Sequence, residues 1–243
     1  MSSSCGDPMK ALSGVRSSWL ISPSPVVDLA VDLIVPVKAL SFAKTRLRGA
    51  ADHGVGEPTR HTRLTLALAQ DTVTAARAAV TVRRLVVVTS DPVVAAELST
   101  LGVEVVPEGP VPLLNEACRH GATALDGTVP VGVLQADLPA LRSAELDAAV
   151  TEALAAFTTG ATSAFVADAG TTGTTFLLAA RRTTFDPRFG AGSAARHRAA
   201  GSVALTGTWP SLRHDVDTAD DLRAATEIGL GLHTFEALYP QAP

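Results

Sequence analysis

Residues 33–47 read LIVPVKALSFAKTRL, and this stretch decides the fold. Its first part, Leu33–Val35, is a short apolar run that predicts a buried strand. The chain then leaves the strand through Pro36 and carries three cations within nine positions, Lys38, Lys44 and Arg46. In open α/β sheets ligands bind beyond the carboxyl ends of the strands, and Arg and Lys suit phosphate groups. The stretch therefore predicts a polyanion site, although a basic loop that only solvates the surface would have the same composition.

The rest of the chain alternates strand-like and helix-like segments. Strands are predicted at residues 33–35, 84–91, 103–106, 131–135, 163–166, 175–180, 203–205 and 212–216, and helices at 60–79, 92–100, 113–125, 143–157 and 222–229. This alternation is typical of an α/β protein with a mainly parallel sheet and helices on both faces. Neither G-x-G-x-x-G nor G-x-x-x-x-G-K-[ST] follows the first strand, so the dinucleotide-binding and P-loop folds lack their fingerprints. Ser143 is predicted to cap one helix, and Thr218 with Asp221 to form a capping box before another.

Composition narrows the protein class. The 243 residues are 47% apolar and only 4% aromatic, which predicts one large domain with an aliphatic core. A formal net charge of -4 argues against a general nucleic-acid binder. No apolar run approaches the ~20 residues of a membrane helix.

Cysteine usage and the N-terminal composition give two further expectations. The two cysteines form neither a disulfide framework nor a metal-spaced pair, which favours the cytoplasm. Cys118 is interpreted as a small buried apolar residue on a helix. Residues 1–28 are rich in Ser, Gly and Pro and are predicted to be a flexible extension that precedes a single domain at 29–243.

Three aspartates follow strand-like segments further along the chain. Asp137 comes directly after an apolar strand in VLQADLP, and Asp215 and Asp217 lie on one face of a segment read as extended. Two carboxylates on one face repel each other unless a cation lies between them, and magnesium takes oxygen ligands and bridges to phosphates. The pattern favours a magnesium site. The alternatives are a turn aspartate at 137 and an aspartate at 217 that supports the following helix.

Five motifs in order carry a family resemblance. They are Lys38 followed by AKTRL at 43–47, LNEA at 114–117, QADLP at 135–139, RFG at 188–190 with SAARHR at 193–198, and DVDTADDL at 215–222. Together they resemble the guanylyltransferases of deazaflavin coenzyme F-420 biosynthesis over roughly residues 29–231. That family acts on 2-phospho-L-lactate in archaea and on phosphoenolpyruvate in actinobacteria. The resemblance implies a nucleotidyltransferase fold of the glycosyltransferase-A-like kind.

The resemblance also implies roles for individual residues. Magnesium ligands are expected at Asp137, Asp215 and Asp217, phosphoenolpyruvate contacts at Thr175, Gly190 and Ser193, nucleotide contacts at Lys38, Lys44, Arg46 and Asn115, and catalytic roles at Asp137, Asp215, Lys44 and Arg46. A loop glycine, a loop serine and a strand threonine would be ordinary without it, and Asn115 would serve equally as a helix N-cap. The basic cluster 196–198 is expected beside the acid, either neutralising it or lying on a solvated helix face. The glycine-rich loop of the broader nucleotidyltransferases is replaced here by VKALS at 37–41.

The expected reaction is magnesium-dependent transfer of GMP from GTP to phosphoenolpyruvate, with release of diphosphate. The actinobacterial likeness of the RFG and SAARHR segments favours phosphoenolpyruvate over 2-phospho-L-lactate or 3-phosphoglycerate as acceptor. The unstable product would pass to a downstream transferase of the coenzyme pathway. Two alternatives remain: a transferase that uses another nucleotide or a sugar phosphate, and a non-catalytic nucleotide sensor.

Overall fold

The computed structural model describes residue 1 and residues 30–40, 44–52 and 54–240. The predicted extension at 1–28 therefore lies almost entirely outside the described residues. The strands are β1 Val31–Pro36, β2 Val82–Val88, β3 Glu104–Val106, β4 Val131–Leu134, β5 Ser163–Ala167, β6 Thr174–Ala179 and β7 Val203–Ala204. The helices are α1 Pro58–Ala78, α2 Pro92–Ser99, α3 Leu114–Thr123, α4 Ser143–Thr158, α5 Ser193–Ala199, α6 Pro210–Arg213, α7 Ala219–Ile228 and α8 Leu232–Leu238.

The seven strands form one sheet in the order β3-β2-β1-β4-β6-β5-β7. Strand β1 pairs in parallel with both β2 and β4, and β6 pairs antiparallel with its two neighbours, β4 and β5. The predicted mainly parallel sheet is confirmed. Because β6 is the strand that reverses direction, β5 again runs parallel to β4. The carboxyl ends of β1, β4 and β5 therefore meet at one edge of the sheet.

The sheet buries both of its faces, as predicted. Leu33 and Val35 of β1 pack in the cluster that contains α1 and α4, whereas Ile34 packs with α3. This alternation follows from the two-residue period of a strand, and a run that is apolar at every position is the mark of a strand covered on both sides. Cys118 is fully buried on α3, and burial raises the pKa of its thiol to about 12. Its interpretation as a small apolar core residue is confirmed.

A third cluster lies beyond the sheet, on the far side of α1. It joins Leu64 of α1 to Leu47 of the basic loop, Val216 of the aspartate segment, Leu222 of α7 and Ala237 of α8. Helix α8 was not predicted from the sequence. Both charged segments of the predicted site are thus anchored by their apolar residues in one patch of core. No helix of the described residues is long and apolar enough to cross a membrane.

Asp71 of α1 fixes α8 in place. Its buried carboxylate accepts hydrogen bonds from the backbone N–H groups of His233 at 3.0 Å and Thr234 at 2.8 Å. We expect Asp71→Ala to lower the free energy of unfolding by about 2–4 kcal/mol, since charged hydrogen bonds contribute about 1.5–3 kcal/mol each and are not fully additive. Urea denaturation measures the loss. Glu236→Ala, which removes an exposed carboxylate of α8, is the control, and an equal loss in both variants would contradict this role for Asp71.

Two local predictions are wrong. Residues 212–216 are not a strand, because Pro210 begins the helical turn α6 and Arg213 binds the carbonyl oxygens of Ala167, Leu205 and Gly207. Ser143 is not an N-cap, because Arg142 occupies that position and Ser143 is already the first helical residue. The capping box of Thr218 and Asp221 before α7 is confirmed.

Candidate active site

A cavity of about 680 Å³ opens at the carboxyl ends of β1 and β4. Its walls carry three kinds of residue: the cations Lys38, Lys44 and Arg46, the carboxylates Asp137, Asp168, Asp215 and Asp217, and a small polar wall that includes Thr174, Gly190 and Ser193. The sheet topology predicts this position, because ligands bind where strands diverge at their carboxyl ends. The structure therefore gathers most of the predicted site residues around one volume, large enough for a small-molecule ligand.

Lys44 is placed between two of the aspartates. Its ammonium forms ion pairs with the carboxylates of Asp137 and Asp217, and its backbone φ of +52° is uncommon for a residue with a side chain. Burial would lower the pKa of Lys44, but the charges of Asp137 and Asp217 outweigh burial and raise it above its ordinary value. Lys44 is therefore held as a cation inside the acidic wall. Lys38 and Arg46 are exposed on the rim.

The two aspartate segments are joined through the backbone. The N–H of Val216 donates to the carbonyl oxygen of Asp137 at 3.0 Å, which brings Asp215 and Asp217 next to the end of β4. Burial, followed by repulsion from Asp137, Asp217 and Asp168, raises the pKa of Asp215 to about 7. This wall therefore holds more negative charge than Lys44 alone neutralises.

Asp168 was missed in the sequence. It comes directly after β5, and Asp137 is the third residue after β4, so the same signal, a carboxylate just beyond the end of an apolar strand, would have found it. It also accepts hydrogen bonds from the N–H groups of Thr172 at 2.9 Å and Gly173 at 2.8 Å, which shapes the turn that enters β6.

The acidic wall suits a hard divalent cation. Among the residues that the structure describes, no three Asp, Glu, His or Cys side chains lie close enough together to hold a metal ion. However, Asp137 Oδ1 is buried and has no hydrogen-bond partner, an arrangement that costs free energy unless a cation or donor completes it. Carboxylate oxygens are the ligands that magnesium prefers. Because magnesium is usually held by only one or two carboxylates together with substrate phosphates, the residues present fit it, with Asp137 as the side chain that has an oxygen to spare.

A second part of the cavity wall carries hydroxyl groups and a glycine loop. Gly190 has a φ of +116°, a conformation that glycine adopts readily, and Ser193 Oγ donates to Thr174 Oγ1 at 3.1 Å. Gly190 and Ser193 line the cavity as predicted, but Thr174 rather than Thr175 lines it from β6. Thr175 is fully buried, and its hydroxyl has no partner among the described residues.

Asn115 does not cap α3. Leu113 is the N-cap residue, and the Asn115 amide instead forms two hydrogen bonds with the backbone of Phe189, to its N–H at 2.8 Å and to its carbonyl oxygen at 3.2 Å. The cavity wall is formed by the neighbouring Leu114 and by Phe189. Asn115 therefore holds the glycine loop against α3 from behind the cavity.

Comparison with known proteins places the chain in a family. The family model described as "Guanylyl transferase CofC like" matches residues 31–238. The chain belongs to this family. A phosphoenolpyruvate guanylyltransferase of Geodermatophilus obscurus is 50% identical over 209 residues, covering 86% of this chain and 94% of the relative. One of Salinispora arenicola is 51% identical over 203 residues, covering 83% and 90%.

Solved structures agree on the fold of this CofC-like chain. A nucleotidyl transferase from Methanothermobacter superposes with a TM-score of 0.58 at 18% identity, covering 82% of this chain and 97% of that one. The 4-diphosphocytidyl-2C-methyl-D-erythritol synthase of Anaerococcus prevotii gives 0.53 at 8% identity, covering 82% and 95%. The predicted nucleotidyltransferase fold is confirmed.

The basic cluster 196–198 of this CofC-like chain does not present its charges to the cavity. Arg196 binds the carbonyl oxygens of Arg188 and Ala191, and Arg198 lies 5.7 Å from the ring centroid of Phe165. His197 is fully buried, and burial, followed by the charge of Arg196, lowers its pKa to about 4. None of the three lines the cavity, and Arg196 and Arg198 are exposed, which agrees better with the alternative of a solvated helix face than with direct neutralisation of the acid.

Proposed function

We propose that the protein transfers GMP from GTP to phosphoenolpyruvate, giving enolpyruvyl-2-diphospho-5'-guanosine and diphosphate. The observation that carries this proposal is that one cavity is lined both by a wall of cations and carboxylates and by a wall of hydroxyl groups and a glycine loop. A nucleoside triphosphate suits the first wall and a small acid suits the second. The relatives that are about half identical to this chain carry the name phosphoenolpyruvate guanylyltransferase, which supports the same choice.

The reaction forms one bond and breaks one. A phosphate oxygen of phosphoenolpyruvate attacks the α-phosphorus of GTP, and the bond from that phosphorus to the bridging oxygen of the β-phosphate breaks, so diphosphate leaves with the electron pair. A phosphate monoester is already ionised near neutrality, since its second pKa is about 6. The attack therefore needs no general base, which agrees with a cavity whose described lining contains no histidine. Catalysis then depends on positioning and on stabilising charge at phosphorus.

The residues of the charged wall have different roles in binding the triphosphate and in stabilising its charge. Lys38 and Arg46 lie on the rim, where Arg46 offers a planar donor fork and Lys38 a point charge to the triphosphate. Asp137, Asp215 and Asp217 would hold magnesium, which when bound neutralises phosphate oxygens and fixes their orientation. Lys44 keeps Asp137 and Asp217 in place and adds a positive charge beside the reacting phosphorus.

A panel of substrates tests the proposal. GTP, ATP, CTP and UTP are each combined with phosphoenolpyruvate, 2-phospho-L-lactate, 3-phosphoglycerate and a sugar phosphate, and diphosphate release is measured with and without magnesium. We expect GTP with phosphoenolpyruvate and magnesium to give the fastest release. Faster release with another acceptor would replace phosphoenolpyruvate in the proposal, and binding of nucleotides without any release would favour a sensor.

We place the reaction in the cytoplasm, with a downstream transferase as the recipient of the product and with neither nucleic acid nor membrane involved.

Two substitutions separate the two walls of the cavity. Ser193→Ala is expected to raise KM for phosphoenolpyruvate roughly ten- to a hundredfold and leave KM for GTP unchanged, because one hydrogen bond to a charged group contributes about 1.5–3 kcal/mol. Arg46→Ala is expected to raise KM for GTP instead. Each KM is measured with the other substrate saturating. Equal increases for both substrates in both variants would mean that the two walls are not separate subsites.

A further inference from the structure

Behind the hydroxyl wall lies a chain of three hydrogen bonds that the proposed reaction does not use. The backbone N–H of Arg188 donates to His197 Nε2 at 3.0 Å, and His197 Nδ1 lies 3.0 Å from Thr174 Oγ1. Ser193 Oγ lies 3.1 Å from the same Thr174 oxygen. Thr174 and Ser193 line the cavity, whereas His197 is fully buried behind them.

The backbone bond fixes the tautomer of the imidazole. A backbone N–H can only donate, so Nε2 of His197 must be the acceptor and cannot carry a proton. Because burial keeps the pKa of His197 near 4, the ring is neutral at pH 7 and its one proton is on Nδ1. That proton points at Thr174 Oγ1, so the threonine oxygen is the acceptor of this bond.

The number of hydroxyl hydrogens on Thr174 and Ser193 decides whether this wall donates hydrogen bonds to a ligand or only accepts them. Thr174 and Ser193 own two hydroxyl hydrogens, and the bond between them uses one, whichever of the two donates. Since His197 takes neither, the second hydrogen is free to point into the cavity. With the opposite tautomer, Thr174 would donate to Nδ1 and Ser193 to Thr174, and only lone pairs would face a ligand. Those lone pairs would repel an anion.

The ring has little freedom to change this arrangement. It packs between Phe165, at 5.6 Å between centroids, and Phe189, which meets it edge-on at 5.2 Å. Phe189 is in turn held by Asn115. Rotation of the imidazole would break both of its hydrogen bonds inside a packed site, where unpaired polar groups are costly.

We propose that His197 is a positioning residue that makes the Thr174–Ser193 pair a hydrogen-bond donor toward the cavity, where the pair binds an anionic oxygen of the acceptor. This inference deepens the proposed function and rests on it for the identity of the acceptor. It assigns to Thr174, and not only to Ser193, a direct contact with that acid.

The tautomer can be observed in the unaltered protein. The ¹⁵N-histidine-labelled enzyme is measured by long-range ¹H–¹⁵N correlation, and the His197 signals are assigned by their disappearance in His197→Asn. We expect a protonated Nδ1 and an unprotonated Nε2 at pH 7. A protonated Nε2 would overturn the proposal without any need for a variant to be active.

Kinetics test whether His197 acts through Thr174. Thr174→Val, which removes the hydroxyl at nearly constant shape, and His197→Leu are each expected to raise KM for phosphoenolpyruvate roughly tenfold while KM for GTP stays unchanged. The double variant is expected to be no worse than either single variant, since residues in one network are not additive. Thr174→Ser keeps the hydroxyl and should retain the normal KM.

A matched control comes from the segment that follows α5. Ser202→Ala removes a buried hydroxyl that lies 2.7 Å from Ser163 Oγ and does not line the cavity, so neither KM should change. Additive effects in the double variant, or equal increases in both KM values, would overturn the proposal that His197 acts through Thr174. If the wild-type protein turns over another acid of the panel and not phosphoenolpyruvate, the proposed function fails. The same variants, measured with that acid, then test whether His197 acts through Thr174.

Discussion

Asp137→Asn is expected to lower the rate of diphosphate release roughly a hundred- to a thousandfold, the loss typical of removing one charged group that acts on the transition state. The amide preserves the shape of the side chain but removes its charge. Lys44 would then keep only Asp217 as an ion-pair partner, and the buried Oδ1 position would lose its capacity to bind a cation. The folded structure should persist, because the side chain contributes no apolar core contact.

The rate of Asp137→Asn is measured at saturating GTP and phosphoenolpyruvate with a series of magnesium concentrations. Asp220→Asn is the matched control, because Asp220 is an exposed residue of α7 that pairs with Arg223 and does not line the cavity. Near-normal turnover by Asp137→Asn, with an unchanged dependence on magnesium, would remove Asp137 from the proposed machinery.

Lys44→Met is expected to lower the rate roughly a hundredfold or more. The methionine side chain has a similar length but no charge, so Asp137 and Asp217 would face each other and Asp215 without the cation that lies between them. The loss should appear in kcat, since Lys38 and Arg46 remain to bind the triphosphate. Lys44→Arg should not restore the rate, because a planar guanidinium does not replace a compact ammonium between two carboxylates.

Arg48→Met is the control for Lys44, as Arg48 is an exposed cation of the same loop that does not line the cavity. Stopped-flow measurement of the first turnover distinguishes a slow chemical step from slow product release. An unchanged rate in Lys44→Met would mean that this ion pair only stabilises the loop. In that case the melting temperature, and not the rate, would fall.

The sequence predicts the strands and the cavity well because both depend on local patterns. Apolar runs such as Leu33–Val35 become buried strands, and polar residues within a few positions of their ends, such as Asp137, reach the same edge of the sheet. These relations hold whenever strands are parallel. They do not require knowledge of which strands are neighbours.

The differences between the predicted and the observed positions of site residues come from contacts between distant segments. The family resemblance implies a contact at Thr175, whereas Thr174 lines the cavity, where the irregular β5–β6 pairing places it opposite Ala167. Asn115 is expected to contact the nucleotide or to cap α3, and neither reading includes its partner Phe189, which lies 74 residues further along the chain. The pattern of apolar and polar residues along one segment shows neither an irregular strand pairing nor a hydrogen-bond partner that is distant in the chain.

Helix α8 has a consequence for how the enzyme folds. Thr234 follows Asp71 by 163 residues, and the cluster that α8 completes also contains Leu47 and Val216, which lie next to the charged residues of the cavity in the chain. Contacts between residues so far apart form late, because the chain must first give up the entropy of a long loop. The strands β1 to β7 all precede α8 in the chain, so their pairing does not depend on it. We therefore expect activity to appear in the last stage of folding, when the two charged loops receive their common apolar support.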